Sequence, residues 1–145
     1  MCLIINKKLC PNGYKIAKKN IPCYKVLLKT YSGRFETPHI KLPVDIKTGI
    51  NADEFQLEPS AAIIGRTIAN VRIDKGVHSY TNLTSAQLAQ DLCYRILNTD
   101  VYTGAVVLKG YIPKGTKYWV GVYSEFCSER IVLQKSNHIL FSRKQ

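Results

Sequence analysis

The stretch GYIPKGTKYWVG, residues 110–121, sets the first expectation for the fold. Residues 112–115 (Ile-Pro-Lys-Gly) predict a type I turn, because the proline presets the backbone angle and the glycine takes a left-handed conformation at little cost. Such a turn commonly joins two antiparallel strands in a hairpin. From Tyr118 onward, apolar or aromatic side chains alternate onto both faces of the return strand. We therefore expect a central strand covered on both sides, or one whose Trp119 face lines a pocket.

The other apolar runs are short and rich in Val, Ile, Tyr and Thr, which is typical of strands. Turn-rich residues 32–55 predict a loop with at most one small hairpin. Further strands are predicted in the segments 2–5, 13–19, 23–31, 61–74 and 76–82, and in the last third of the chain.

The run TSAQLAQDLCYRIL predicts a helix at about 84–97. Thr84 can cap its first turn, with Gln87 completing a capping box. One apolar stripe is predicted to face the core, and the polar residues to face elsewhere. The stripe comprises Leu88, Ala89, Leu92, Cys93, Ile96 and Leu97, and the polar set comprises Gln90, Asp91 and Arg95. The expected architecture is one α+β domain over residues 1–145, strand-dominated, with a mostly antiparallel sheet and one principal helix.

Charge is the strongest signal in the composition. The chain has 21 Lys and Arg against 10 Asp and Glu, a net charge of +11. Eight basic residues precede the first acid, Glu36. This imbalance predicts an anionic partner: a nucleotide-like ligand, nucleic acid or an acidic protein surface. A solubilising face is the alternative reading.

The segment GVHSYTN, residues 76–82, gathers polar-tipped side chains directly before the helix. A helix start offers unpaired N–H groups and the positive end of the helix dipole, so it can bind an anion. A capping and turn segment is the alternative. The predicted ligand-binding residues are His78, Ser79, Tyr80, Thr81, Lys25 and Trp119.

Several classes of site are not predicted. The three histidines, His39, His78 and His138, stand in separate segments, so no metal site is expected. The chain has none of the common phosphate-binding or hydrolase motifs. Five cysteines without a Cys-x-x-Cys pair indicate free thiols in a reducing cytoplasm, and no membrane segment is expected. The cysteines are Cys2, Cys10, Cys23, Cys93 and Cys127.

The succession MCLII, CYKVL, TP, GVHSY, GYIPKGTKYWVG and SERIVL resembles a group of small uncharacterised proteins of gut bacteria and their phages. That resemblance implies a phage or mobile-element context, in the host cytoplasm, and no particular chemistry.

The order of a tyrosine-bearing early strand, a Ser/Thr segment leading into a helix and a late SERIVL is also similar to the ADP-ribosyltransferase layout. In that family an Arg or His on the first strand and a Ser-Thr-Ser or Tyr segment hold NAD, and a late glutamate drives transfer. The resemblance implies Lys25 at the Arg position, the middle motif at 78–81 and Glu129 as the catalytic residue, with Cys127 where many members carry a second Glu or Gln.

The leading hypothesis is a small basic binding protein that recognises an anionic partner and needs no cofactor. A diverged NAD-using transferase and a structural virion or assembly component, visible as a homo-oligomer, are the alternatives.

Overall fold

The computed structural model describes residues 3–4, 14–38, 41, 43–45, 49–51, 59–64, 67–73, 76–134 and 139–144. These residues form one helix and a series of strands, and the strands dominate. In chain order the elements are β1 (Leu3–Ile4), β2 (Lys15–Ile16), β3 (Ile21–Thr30), β4 (Phe35–Glu36), β5 (Pro43–Val44), β6 (Ile50–Asn51), β7 (Pro59–Ile64), β8 (Thr67–Ile73), β9 (Val77–Tyr80), α1 (Leu83–Arg95), β10 (Tyr102–Ile112), β11 (Lys117–Val120), β12 (Glu125–Ser128), β13 (Arg130–Leu133) and β14 (Ile139–Lys144).

The main sheet has the strand order β2-β11-β12-β9-β3-β10-β13-β6, with β14 also on β10 and the β4–β5 pair on β3. A smaller sheet has the order β1-β8-β7. Every strand pair in the described part of the chain is antiparallel. The predicted strand-dominated α+β architecture is therefore confirmed.

Alternation along β3 places its side chains in two separate cores. Cys23 and Leu27 belong to a cluster on the face away from the helix. Val26 and Leu28 belong to a second cluster, which lies between the sheet and α1. The prediction that Tyr24 shares the face of Val26 and Leu28 is confirmed, because its ring packs partly buried against this second cluster.

The predicted turn at 112–115 exists, but the predicted hairpin is wrong. Gly115 has the expected left-handed backbone, with φ of 87°. The strands on either side do not pair with each other, since β10 is bound by β3 and β13 while β11 is bound by β2 and β12. The turn instead pairs with Ala17, whose carbonyl accepts from Gly115 N at 2.8 Å and whose N–H donates to Thr116 O at 3.0 Å.

The helix lies close to its predicted position, but the predicted cap and the predicted buried face need correction. Asn82, not Thr84, is the N-cap, and its side chain accepts from Ser85 N at 2.8 Å. Three side chains of the predicted stripe, Leu88, Leu92 and Ile96, face solvent as an exposed leucine stripe, with exposed fractions of 60–85%. The other three, Ala89, Cys93 and Leu97, pack against the cluster between sheet and helix, as predicted. The side chains buried against the sheet are Ala86, Ala89 and Gln90.

Small side chains explain this orientation of α1. Alanines let the helix approach a sheet face that Val26, Leu28 and Val107 already fill. Gln90 is buried at this contact because its Nε2 donates to the Ala105 carbonyl at 2.9 Å.

The segments between the long strands contain more strand than predicted. The β4–β5 pair is the expected small hairpin of residues 32–55. β6 is an additional short strand, paired with β13. The predicted strand at 61–74 is two strands, β7 and β8, paired with each other.

Candidate functional site

The segment before the helix is part of the sheet. β9 pairs with β12, so that His78 lies opposite Cys127 and Tyr80 opposite Glu125. Ser79 is buried, whereas His78, Tyr80 and Thr81 are partly exposed. The His78 Nδ1 lies 3.1 Å from the Gly76 carbonyl. The N–H of Thr81 donates to Ser124 O at 2.9 Å, which ties the helix start to the turn before β12.

Lys25 is an interior residue, with only 8% of its surface exposed. Its ammonium donates to the backbone carbonyl of His78 at 2.6 Å. β3 and β9 share a single residue pair, Tyr24 with Tyr80, so this side-chain bond adds to the backbone pairing nearby. Loss of hydration lowers the Lys25 pKa from 10.5 to about 8. The structure thus places Lys25 as a structural cation and not at a surface that a dissolved ligand reaches.

Three free cysteines surround this interior region: Cys23, Cys93 and Cys127. Burial raises the pKa of the Cys23 thiol to about 11 and that of the Cys127 thiol to about 12. The Ser79 hydroxyl and the charge of Lys25 act in the opposite direction on Cys23, but more weakly than burial. Thiols with raised pKa values are poor nucleophiles at neutral pH, in agreement with the interpretation of these cysteines as core residues.

A row of polar side chains crosses four strands on the helix side of the sheet, next to the start of α1. Glu125 on β12 is paired with Tyr80 on β9, Tyr80 with Tyr24 on β3, and Tyr24 with Lys109 on β10. We call these four residues the tyrosine row. Paired residues on neighbouring antiparallel strands have side chains about 5 Å apart at Cβ, so the row forms one continuous strip.

Glu125, the carboxyl group of the tyrosine row, lies in surroundings that raise its pKa. Glu125 is only 5% exposed, and burial raises its pKa above the ordinary value. Burial also raises the Tyr80 pKa to about 12, with a further contribution from the Glu125 charge. The preceding residue, Ser124, has a left-handed backbone with φ of 57°, an uncommon conformation for a non-glycine residue. A perturbed carboxyl beside a constrained turn is a candidate functional group.

Glu129, the catalytic residue implied by the resemblance, lies elsewhere. It stands between β12 and β13, where its N–H donates to Lys117 O at 3.1 Å. Its Oε1 accepts from Lys117 N at 3.3 Å. The structure therefore brings Glu125, and not Glu129, together with the early tyrosine strand and the 78–81 segment.

Trp119 is nearly buried on β11, opposite Cys127. Its indole meets the ring of Tyr14 edge-on, with centroids 6.0 Å apart and an interplanar angle of 72°. The Lys117 ammonium lies 4.8 Å from the centre of the Tyr14 ring. Trp119 thus supports an exposed aromatic side chain and is itself mostly covered.

Five exposed lysines belong to this edge of the sheet. Backbone hydrogen bonds from Ala17 and from Gly115 hold residues 14–20 against the turn before β11. The Lys114 N–H also donates to Asn20 Oδ1 at 2.9 Å. We call the resulting surface the lysine edge; it comprises Lys15, Lys18, Lys19, Lys114 and Lys117.

The described amino-terminal basic residues do not converge on the helix start. Lys15, Lys18 and Lys19 lie on the lysine edge, Lys25 is inside, and Arg34 is exposed in the turn after β3. The first three form a patch with Lys114 and Lys117, away from α1.

No family model matches the chain, and no curated protein or solved structure gives a significant match. His39 and His138 lie outside the described residues, and those described contain no cluster of three potential metal ligands. None of the helical structure described is both long and apolar enough to cross a membrane.

Sequence reasoning missed Glu125, Tyr14, Lys109, Lys114 and Lys117 as site residues. The signal for Glu125 was weak, because a single acid at a strand start has no characteristic spacing. For the lysine edge a signal existed: residues 101–124 contain no acid, and neither do residues 1–35. Only the pairing of β2 with β11 shows that these two acid-free segments meet.

Proposed function

We propose that this protein binds an anionic partner through the lysine edge. The observation that carries the proposal is the convergence of five exposed lysines from two segments almost 100 residues apart in sequence. The potentials of neighbouring positive charges add. Five lysines on one edge of the sheet therefore create a local positive potential that attracts phosphates or carboxylates. The exposed ammonium groups keep their hydration, which leaves them available for contacts with a charged ligand.

The proposal is tested by measuring the affinity for fluorescent inorganic polyphosphate between 50 and 200 mM salt. Binding through several ammonium groups releases counterions, so affinity falls steeply as salt rises. The double variant Lys18→Gln and Lys114→Gln is expected to weaken binding and flatten the salt dependence. Its charge-matched control is Arg34→Gln with Arg95→Gln, two exposed cations outside the lysine edge. Equal loss in both variants would show a net-charge effect only and would overturn the proposal.

A second candidate function is a NAD-using ADP-ribosyl transfer centred on the tyrosine row. The specific observation in its favour is that Glu125, Tyr80 and Tyr24 come from the late strand, the middle segment and the early strand. These are the elements from which the resemblance draws its ligand-binding and catalytic residues. In this proposal Glu125 takes the role first assigned to Glu129, and Lys109 is available to a phosphate.

The transferase candidate is tested with NAD labelled in its adenylate half. Release of nicotinamide or labelling of a protein is expected from the wild type and from Glu129→Gln, and is expected to be lost in Glu125→Gln. Thermal melting of both variants checks that they fold. If the wild type neither binds nor consumes NAD, or if Glu129→Gln alone loses activity, the assignment to the tyrosine row is rejected.

A further inference from the structure

We infer that the lysine edge binds single-stranded nucleic acid, with Tyr14 as the side chain on which a base stacks. This inference rests on the proposed anion-binding function and names its partner. The lysines account for attraction to phosphate. Tyr14, an exposed ring in contact with Trp119 and the Lys117 ammonium, adds a surface on which a base can stack.

The attraction of the lysine edge for phosphate follows from its local charge balance. The two segments that build the edge, residues 14–20 and 113–117, contain five lysines and no acid. The nearby carboxylate of Glu129 is held on the Lys117 N–H at 3.3 Å. The remaining charge is one-sided, and a flexible polyanion can follow it along the edge of the sheet.

Tyr14 provides the ring on which a base stacks. Its side chain is 48% exposed, although the edge-on contact with Trp119 fixes the ring. Ile16, two residues on and thus on the same side of β2, is 54% exposed. A ring that is held in place loses little conformational entropy when a base stacks on it. Such stacking contributes about 1–3 kcal/mol per base in single-strand binding proteins, which corresponds to about 5- to 150-fold in affinity.

The choice of a single strand over a duplex follows from the elements that carry the charge. Sequence-specific duplex readers usually place a helix or a two-stranded ribbon in the major groove. The helix here has one basic residue, Arg95, and exposes a leucine stripe. The lysines instead lie on the edge strand β2, in the bend after it, in the turn before β11 and at the first residue of β11, beside an exposed ring. That arrangement of aromatic platform and basic rim fits unpaired bases.

The test compares three fluorescent oligomers of twelve phosphates by anisotropy at fixed salt: oligo-dT, an abasic backbone of the same length and a duplex. We expect oligo-dT to bind about 5- to 150-fold more tightly than the abasic backbone. Tyr14→Ala is expected to remove that difference and leave binding of the abasic backbone unchanged. Tyr123→Ala is the matched control, because Tyr123 is exposed and lies outside the lysine edge.

The outcomes separate this inference from the anion-binding proposal. Equal affinity for oligo-dT and the abasic backbone, or tighter binding of the duplex, would overturn the inference and leave anion binding intact. Failure of polyphosphate and of all three oligomers to bind would overturn both. Loss of oligo-dT binding in Tyr14→Ala, together with full binding in Tyr123→Ala, would support the stacking role. A circular dichroism spectrum of each variant shows whether the sheet is retained.

Discussion

Replacement of Lys25 by methionine should make the folding stability of the protein respond differently to pH. Methionine keeps the length of the side chain and removes its charge. In the wild type, the buried ammonium has a pKa of about 8, against 10.5 ordinarily. The folded value is the lower one, so between pH 8 and 10.5 the unfolded chain binds more protons than the folded chain. Stability from this group therefore rises with pH across that window.

The magnitude follows from the two pKa values. At about 1.4 kcal/mol per pKa unit, the full difference corresponds to about 3 kcal/mol. Between pH 7 and pH 10, the free energy of unfolding contributed by Lys25 rises by most of this amount, about 2–3 kcal/mol. The variant also loses the bond from Lys25 to the His78 carbonyl, which costs about 1–3 kcal/mol. Any weakening of that bond when the ammonium loses its proton is already contained in the folded pKa. The pH dependence of the difference between the two proteins thus isolates the buried charge.

Other groups titrate in the same range. Cys23 and Cys127 have raised pKa values, so the unfolded chain loses their protons first and stability falls as pH rises above about 9. Burial, the largest cause of both shifts, is common to the two proteins. The smaller effect of the Lys25 charge on the two thiols is lost with Lys25, so it belongs to the difference that the comparison measures. The measurement is urea unfolding of the two proteins at pH 7, 8.5 and 10 under a reducing agent, with linear extrapolation to water.

The expected result is that wild type gains about 2–3 kcal/mol relative to Lys25→Met between pH 7 and pH 10. A difference that stays constant within about 0.5 kcal/mol would refute the reasoning, because an ammonium that reached water would titrate near its ordinary pKa in both states.

Three further predictions concern the helix, and urea unfolding at pH 7 measures each. Asn82→Ala should destabilise the protein by about 1 kcal/mol, because it removes the acceptor of Ser85 N. Thr84→Ala should leave the stability unchanged; a larger loss in Thr84→Ala than in Asn82→Ala would show that Thr84 is the N-cap. Gln90→Leu should cost about 1–3 kcal/mol by leaving the Ala105 carbonyl without its side-chain donor, and an unchanged stability would show that this bond contributes nothing. Leu92→Gln should change stability by less than about 0.5 kcal/mol because the side chain is 60% exposed, so a large loss would mean that this stripe is covered.

The candidate sites show how far sequence reasoning reaches. It predicted ligand binding at residues 78–81 and Trp119, and these roles stay predictions. The structure places Tyr80 of that segment in the tyrosine row and Trp119 in contact with Tyr14. It did not identify Glu125, because the choice between two glutamates four residues apart depends on which strand faces which. The pairing of β9 with β12 makes that choice by placing Glu125 opposite Tyr80.

The sequence by itself determined the type and approximate position of the main elements among the described residues. Period-two alternation of β-branched and aromatic residues marks the strands, the capped run before Asn98 marks the helix, and a proline-lysine-glycine turn requires a left-handed glycine, as Gly115 shows. These features depend on interactions within a few residues, so they can be read without knowledge of the partner strands.

Only the tertiary structure decided what each element contacts. The turn at 112–115 joins strands that pair elsewhere, and the helix turns its alanines to the sheet and Leu88 and Leu92 to solvent. A lysine within the apolar run of β3 becomes an interior cation, while lysines from distant segments meet at one edge. The physical reason is that strand pairing and close packing are satisfied by long-range partners, and hydrophobicity alone does not choose between faces when a small side chain permits the closer approach.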